Sequence, residues 1–228
     1  MPDIMQTPER ILSILAGAGA RTVADIGCGS GALSRVLAAH GHTVTGIDPD
    51  ADAVSRAREG VPQVRFERAT AEALPFADAS LDAAIFLNAL HHVPVPLMRQ
   101  ALAEVRRVLR PGGTLIVVEP LAEGSFFDVM RPVEDETDIR REALVALRAD
   151  IAEGHWSRIE EQQYDRFTDF ASVDGFIDYL VAVDPARRAI AEALREELDA
   201  LLKERAAPAE NGFRLTQPML LVAASPAG

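Results

Sequence analysis

Cysteine is almost missing from this chain of 228 residues: Cys28 stands alone. A lone cysteine closes no internal disulfide, so a disulfide scaffold is excluded and a reducing compartment is the default. Lysine is equally scarce, with Lys203 alone, and the positive charge is otherwise arginine. Basic residues number 23 against 35 acidic ones, a net charge of −12. Broad electrostatic binding to DNA, RNA or anionic lipid needs a basic face, and this balance argues against one. Aromatic residues make up only 5% of the chain. No apolar run reaches the ~18 residues that a membrane span needs. The opening MPDIMQTPER lacks the basic stretch and following apolar stretch of a secretory leader. The expectation is a soluble, acidic, cytoplasmic protein with no nucleic-acid or membrane partner.

What is present is an ordinary globular mixture, 48% hydrophobic and 25% charged. The length allows one large domain or two small ones. Up to residue 120 strand and helix patterns alternate. Apolar or β-branched runs at 22–26, 42–48, 64–68, 81–88 and 114–119 read as strands. Helical patterns lie between them, the clearest with apolar residues at 97, 101, 102, 105, 108 and 109. Thr7 with Pro8 reads as the start of a first helix, with Thr7 as its cap. Near-continuous apolar strands spaced by helices imply an α/β, doubly wound, mostly parallel sheet covered on both faces. After Pro120 the rhythm breaks. Residues 121–160 read as helical, 161–168 as the choice for a sixth strand with 212–216 as the runner-up, and 219–224 as a final strand. Pro218 lacks a donor, so that last strand is expected to begin at Met219.

The first strand runs into VADIGCGSGALSRVLA, with Gly27, Gly29 and Gly31. Glycines there permit positive φ and let a ligand approach the backbone, at a helix N-terminus with free N–H groups. Asp48 ends the second strand, where an acid in a doubly wound fold accepts hydrogen bonds from ribose hydroxyls. A tight turn without a ligand is the competing reading of the loop. A dinucleotide site wants G-x-G-x-x-G, whereas this loop is G-x-G-x-G and follows a carboxylate, Asp25. That charge would repel a pyrophosphate and suits a ligand carrying an ammonium group.

D-I-G-C-G-S-G (25–31), G-I-D (46–48), A-E-A-L-P-F (71–76), L-H-H-V (90–93) and L-R-P-G-G-T-L (109–115) occur in this order. On these motifs the chain resembles class I S-adenosylmethionine-dependent methyltransferases of the broad small-molecule type, over residues 20–120. The resemblance implies a Rossmann-like, seven-stranded sheet with its last strand antiparallel, plus a helical cap, as a single domain over 1–228. In that division 1–120 is the cofactor-binding core, 121–210 the cap and substrate region, and 211–228 the final strand. It implies S-adenosyl-L-methionine as cofactor and S-adenosylhomocysteine as product. Asp25 would lie near the amino-acid end of the cofactor, and Gly27, Cys28, Gly29 and Gly31 would wrap its methionine part. Asp48 would bind the ribose hydroxyls and Ile47 or Pro49 would pack on the adenine. Ala71 and Glu72 would border the adenine amino group, and Asn88 would line the methyl-donor end. Thr70 stands where relatives often carry an Asp, so that carboxylate contact is replaced or lost.

Methyl transfer is an in-line displacement in which the protein mainly aligns the nucleophile and excludes water. A base is required only for an acceptor that arrives protonated. His91 and His92 follow the fourth strand and are the candidate bases; the competing reading has one capping a helix and the other packing. Glu119, Phe127, Trp156 and Tyr164 are candidate substrate contacts, against a reading in which Glu119 pairs with an arginine and the rings form the core of the cap. Cys28 is read as a small loop residue rather than a nucleophile, and VEDETD (133–138) as a solvated helix start rather than a metal site. The acceptor is a small molecule, and the protein a monomer or homodimer. The alternatives are a non-catalytic S-adenosylmethionine-binding protein, an RNA or protein methyltransferase, and a nicotinamide-dependent oxidoreductase.

Overall fold

The computed structural model describes residues 6–227; the first residues of MPDIMQTPER, on which part of the leader expectation falls, lie outside them. Helix α1 (Thr7–Ala18) leads into β1 (Thr22–Ile26), α2 (Ala32–Ala39), β2 (Thr43–Asp48), α3 (Ala51–Gly60) and β3 (Arg65–Arg68). Then come β4 (Leu81–Leu87), α4 (Met98–Val108) and β5 (Leu109–Pro120). The remainder is α5 (Ser125–Met130), α6 (Thr137–Ala152), β6 (Trp156–Phe170), α7 (Val173–Val183), α8 (Arg188–Ala193), α9 (Arg195–Arg205), β7 (Ala207–Ala209) and β8 (Gly212–Pro226). The strands lie in the order β3-β2-β1-β4-β5-β8-β6, with β7 paired to β8. Strands β1 to β5 are parallel to their neighbours, and the C-terminal strands are antiparallel. The eighth strand, β7, was not expected. It is three residues long, and Pro208 confines it to an edge position.

The chain divides into two compact units. The first holds residues up to Glu119, Glu142–Gln162 and Leu220 onward; the second holds Pro120–Arg141 and Gln163–Met219. In the first, Ala83, Ala84, Ile85 and Phe86 of β4 and Leu115, Ile116 and Val118 of β5 are fully buried. Helix α4 buries Met98, Ala101, Leu102, Val105 and Val108, the stripe its sequence announces. Each of these side chains larger than alanine contributes roughly 1.5–3 kcal/mol. In the second unit Phe126, Phe170, Phe176 and Tyr179 pack edge-on or tilted, with ring centroids 5.2–6.3 Å apart.

Four boundaries differ from the sequence expectation. Thr7 is the first helical residue and Gln6 takes the cap position without a side-chain bond. Helix α6 ends at Ala152, two residues before Gly154 with φ 79, so the chain is already strand from Trp156. Strand β5 begins at Leu109 and passes R-P-G-G through a register shift opposite Leu81 and Ala83. Strand β8 begins at Gly212 and includes Pro218. Pro218 needs only its carbonyl paired, and Leu121 N–H donates to it at 2.9 Å. Room for the ring comes from Gly124, where a Cβ would stand 2.3 Å from Pro218 Cδ. Both strand-six candidates, 161–168 and 212–216, are strand, in β6 and β8 respectively.

Candidate cofactor site

The parallel registers Ile26–Ile47, Ile26–Phe86, Asp48–Arg68 and Leu87–Val118 bring the carboxyl ends of β1 to β5 to one edge of the sheet. The strand order reverses direction between β1 and β4, the place where open α/β sheets form a ligand crevice. On that edge stand the 27–31 loop, Asp48, the 69–72 segment, Asn88 and Glu119.

The loop glycines have different reasons to be glycine. Gly27 N–H and Cys28 N–H both donate to Ile47 O, at 2.8 and 3.0 Å. A Cβ on Gly27 would lie 2.5 Å from Ala89 Cβ, and one on Gly31 2.7 Å from the Phe66 ring. Gly46 is likewise closed off, 2.4 Å from the Phe66 ring and 2.9 Å from Cys28 Sγ. Gly29, at φ 52, faces nothing within 4 Å. One loop position thus opens onto free space while its neighbours are locked by packing. Cys28 is buried under this loop, and desolvation pushes its thiol well above the ordinary range, which removes it as a nucleophile.

Two carboxylates flank the opening. Asp48 Oδ2 accepts Gly29 N–H at 2.9 Å and Oδ1 accepts Asp50 N–H at 2.9 Å. Each oxygen retains a lone pair for a further donor. Asp25 is 2% exposed and accepts Ser34 Oγ–H at 2.6 Å. Burial pushes its carboxyl up to about 6 against the lowering effect of Ser34, and the nearby Asp48 charge adds to the rise. Because the folded state holds this proton more tightly than the unfolded chain, Asp25 costs stability as pH rises from about 4 to 6. Asp25→Asn is therefore expected to stabilise the ligand-free protein above pH 6. The difference from 3.8 to about 6 corresponds to at most ~3 kcal/mol. Urea unfolding at pH 5 and pH 7.5 measures it; a variant with the wild-type pH dependence would remove this account.

Beyond β4, Asn88 adopts φ 52 and its Oδ1 is buried with no hydrogen-bond partner. Glu119, 1% exposed, reaches back to the turn after β4. Its Oε1 accepts Ala89 N–H at 3.1 Å and Leu90 N–H at 2.8 Å, and its Oε2 pairs with His91 Nδ1. A carboxylate only accepts, so His91 carries its proton on Nδ1. His91 is buried and His92 exposed, with ring centroids 4.1 Å apart. The geometry gives Glu119 a holding role in place of the expected substrate contact; its reach across about thirty residues left no local signal.

Other expected residues divide. Ile47 is fully buried, which leaves exposed Pro49 of that pair at the edge. Ala71 is buried and Glu72 half-buried in the turn after β3. Trp156 does not join the site. It opens β6, four strands from β1, roughly 19 Å at ordinary strand spacing. Its Nε1 donates to buried Asp150 at 2.6 Å, and Arg106 lies over its ring. Phe127 and Tyr164 belong to the second unit, Phe127 beneath the Arg140 guanidinium at 4.8 Å.

The strand order, the glycine loop ending β1 and the acid ending β2 define a Rossmann-like, doubly wound α/β fold. The family described as "Methyltransferase domain" matches residues 23–113. An uncharacterized methyltransferase of Synechocystis is 35% identical over 114 residues, 50% of this chain and 52% of that protein. A malonyl-[acyl-carrier protein] O-methyltransferase of Erwinia pyrifoliae is 38% identical over 125 residues, 54% and 46% of the two chains. The chain spans about half the length of these two curated relatives. The YcgJ protein of Bacillus subtilis shares the fold, with TM-score 0.66, 22% identity and coverage of 96% and 98%. Over residues 23–113 the chain is thus similar to a methyltransferase domain, carried on a mostly parallel, Rossmann-like sheet.

Proposed function

We propose that this protein transfers a methyl group from S-adenosylmethionine to an O, N or C atom of a small molecule, as a single domain acting in the cytoplasm, as a monomer or homodimer. The observation that carries the reading is the Asp48 carboxylate, fixed by two backbone N–H groups beside the one loop glycine that opens onto free space. The residues fit the cofactor: a diol for Asp48, an ammonium for Asp25, and a donor for the unpartnered Asn88 Oδ1. Pro49, Ala71 and Glu72 would receive the adenine, and Gly27, Cys28, Gly29 and Gly31 the methionine chain. When bound, the cofactor supplies a sulfonium methyl open to in-line displacement. The protein's part is then to orient that carbon, exclude water and, for a hydroxyl acceptor, take up a proton. His92 is the better-placed base of the pair, since His91 Nδ1 is committed to Glu119. The net charge of −12 favours a neutral or cationic acceptor over an anionic one.

Two carboxylates beside the loop oppose a pyrophosphate, which sets this reading against a nicotinamide enzyme. S-adenosylhomocysteine is expected to raise the melting temperature, by ~2.7 kcal/mol of added stability at a hundredfold excess over Kd, while NADH leaves it unchanged. The reverse result overturns the reading. A non-catalytic binding protein would show the same shift but would transfer no labelled methyl group to any candidate acceptor.

A further inference from the structure

Helix α4 carries Gln100, Glu104 and Arg107 at spacings of four and three, so the three side chains stand in one row along the helix. Each fastens the segment that returns from β3 to β4. Gln100 Nε2 donates to Glu72 O at 3.1 Å. Glu104 Oε2 accepts Leu74 N–H at 3.1 Å. Arg107 donates to Leu74 O at 3.1 Å, to Phe76 O at 2.8 Å and to Asp78 at 2.7 Å. It also forks onto Glu104, at 2.8 and 2.7 Å. The chain's own turn there is a single bond, Ala73 N–H to Thr70 O at 3.2 Å. Of the loop's residues only Ala71 and Leu74 are buried, so packing alone holds it weakly. The ladder instead grips three alternate peptide carbonyls, those of Glu72, Leu74 and Phe76, and one N–H, which sets where Ala71 and Glu72 lie along the sheet edge.

We propose that Gln100, Glu104 and Arg107 are positioning residues that set nucleobase affinity without touching the ligand, by holding the Ala71–Glu72 segment at the adenine end of the site. This rests on the cofactor reading above. It assigns α4 a binding task, although the helix lies between β4 and β5 in sequence and its motif residues otherwise read as surface charges. The competing role is a general staple, which would affect all ligands and the unfolding temperature alike.

The test compares two ligands that differ only in the base: S-adenosylhomocysteine, and S-ribosylhomocysteine, which has the same amino acid and ribose and no adenine. Calorimetric Kd values are measured for wild type, Arg107→Met and Gln100→Ala. Gln100→Ala removes a single exposed bond and keeps the fold testable should Arg107→Met fail to fold. The preference for S-adenosylhomocysteine is expected to fall about tenfold in Arg107→Met and about threefold in Gln100→Ala, the loss of one or two hydrogen bonds' worth of placement. S-ribosylhomocysteine affinity stays within about twofold of wild type on the same grounds, since its contacts lie at the loop and Asp48. An unchanged preference in Gln100→Ala, or equal weakening of both ligands, overturns the inference. A wild type that binds neither ligand overturns the cofactor reading itself, and the inference with it.

Discussion

Asp48→Ala is expected to weaken S-adenosylhomocysteine binding by more than roughly tenfold, because under the proposed function it removes the acceptor for two ribose hydroxyls. The same change strands Gly29 N–H and Asp50 N–H, which the wild-type carboxylate accepts at 2.9 Å each. Part of the loss would then come from a loosened loop. Asp48→Asn separates the two effects, since its single carbonyl oxygen keeps an acceptor while the second oxygen and the charge are gone. Titration calorimetry beside a ligand-free melting curve reads both. Full wild-type affinity in Asp48→Ala would take Asp48 out of the site.

Glu119→Ala is expected to cost about 3–5 kcal/mol of folding stability, because three buried donors lose their acceptor at roughly 1–3 kcal/mol each. Two backbone N–H groups and His91 lose their acceptor at once, all in the turn that follows β4. Glu119→Gln should lose less, because its amide oxygen can still accept from Ala89 and Leu90. Chemical denaturation of the ligand-free protein measures the pair. A Glu119→Ala variant as stable as wild type would mean that the turn is held by something else.

Strands β1, β2, β4 and β5 were legible because parallel strands buried on both faces write themselves as near-continuous apolar runs, whereas β3, R-F-E-R with only Phe66 buried, showed mainly through its place in the alternation. Asp48 and the glycine loop were legible for a related reason: local backbone geometry demands particular residues at fixed spacing. Glu119 was legible as a residue of the site edge but not in its task, since its partners lie 28 to 30 positions earlier. The first part of β6 hid, although 161–168 was read as strand, because residues 157–163 are all exposed, which erases the period-two signature. Trp156 misled because an aromatic in a region expected to cover the pocket is indistinguishable, in sequence, from one that holds a buried aspartate. Pro218 misled because its compatibility with a strand depends on Gly124, far away in the chain.

Asp150 gathers Arg106, His155 and Trp156 around one buried carboxylate, all within the first unit. The segment 142–162 is thereby bound to α4, and a fragment ending at residue 120 would leave Arg106 without its counter-ion. The modular boundaries of the molecule are therefore discontinuous. An engineer exchanging the second unit between relatives would splice near 120 and 141, and again near 163 and 219, importing two inserts rather than one tail. Cutting once at 120 would discard part of the host along with the guest.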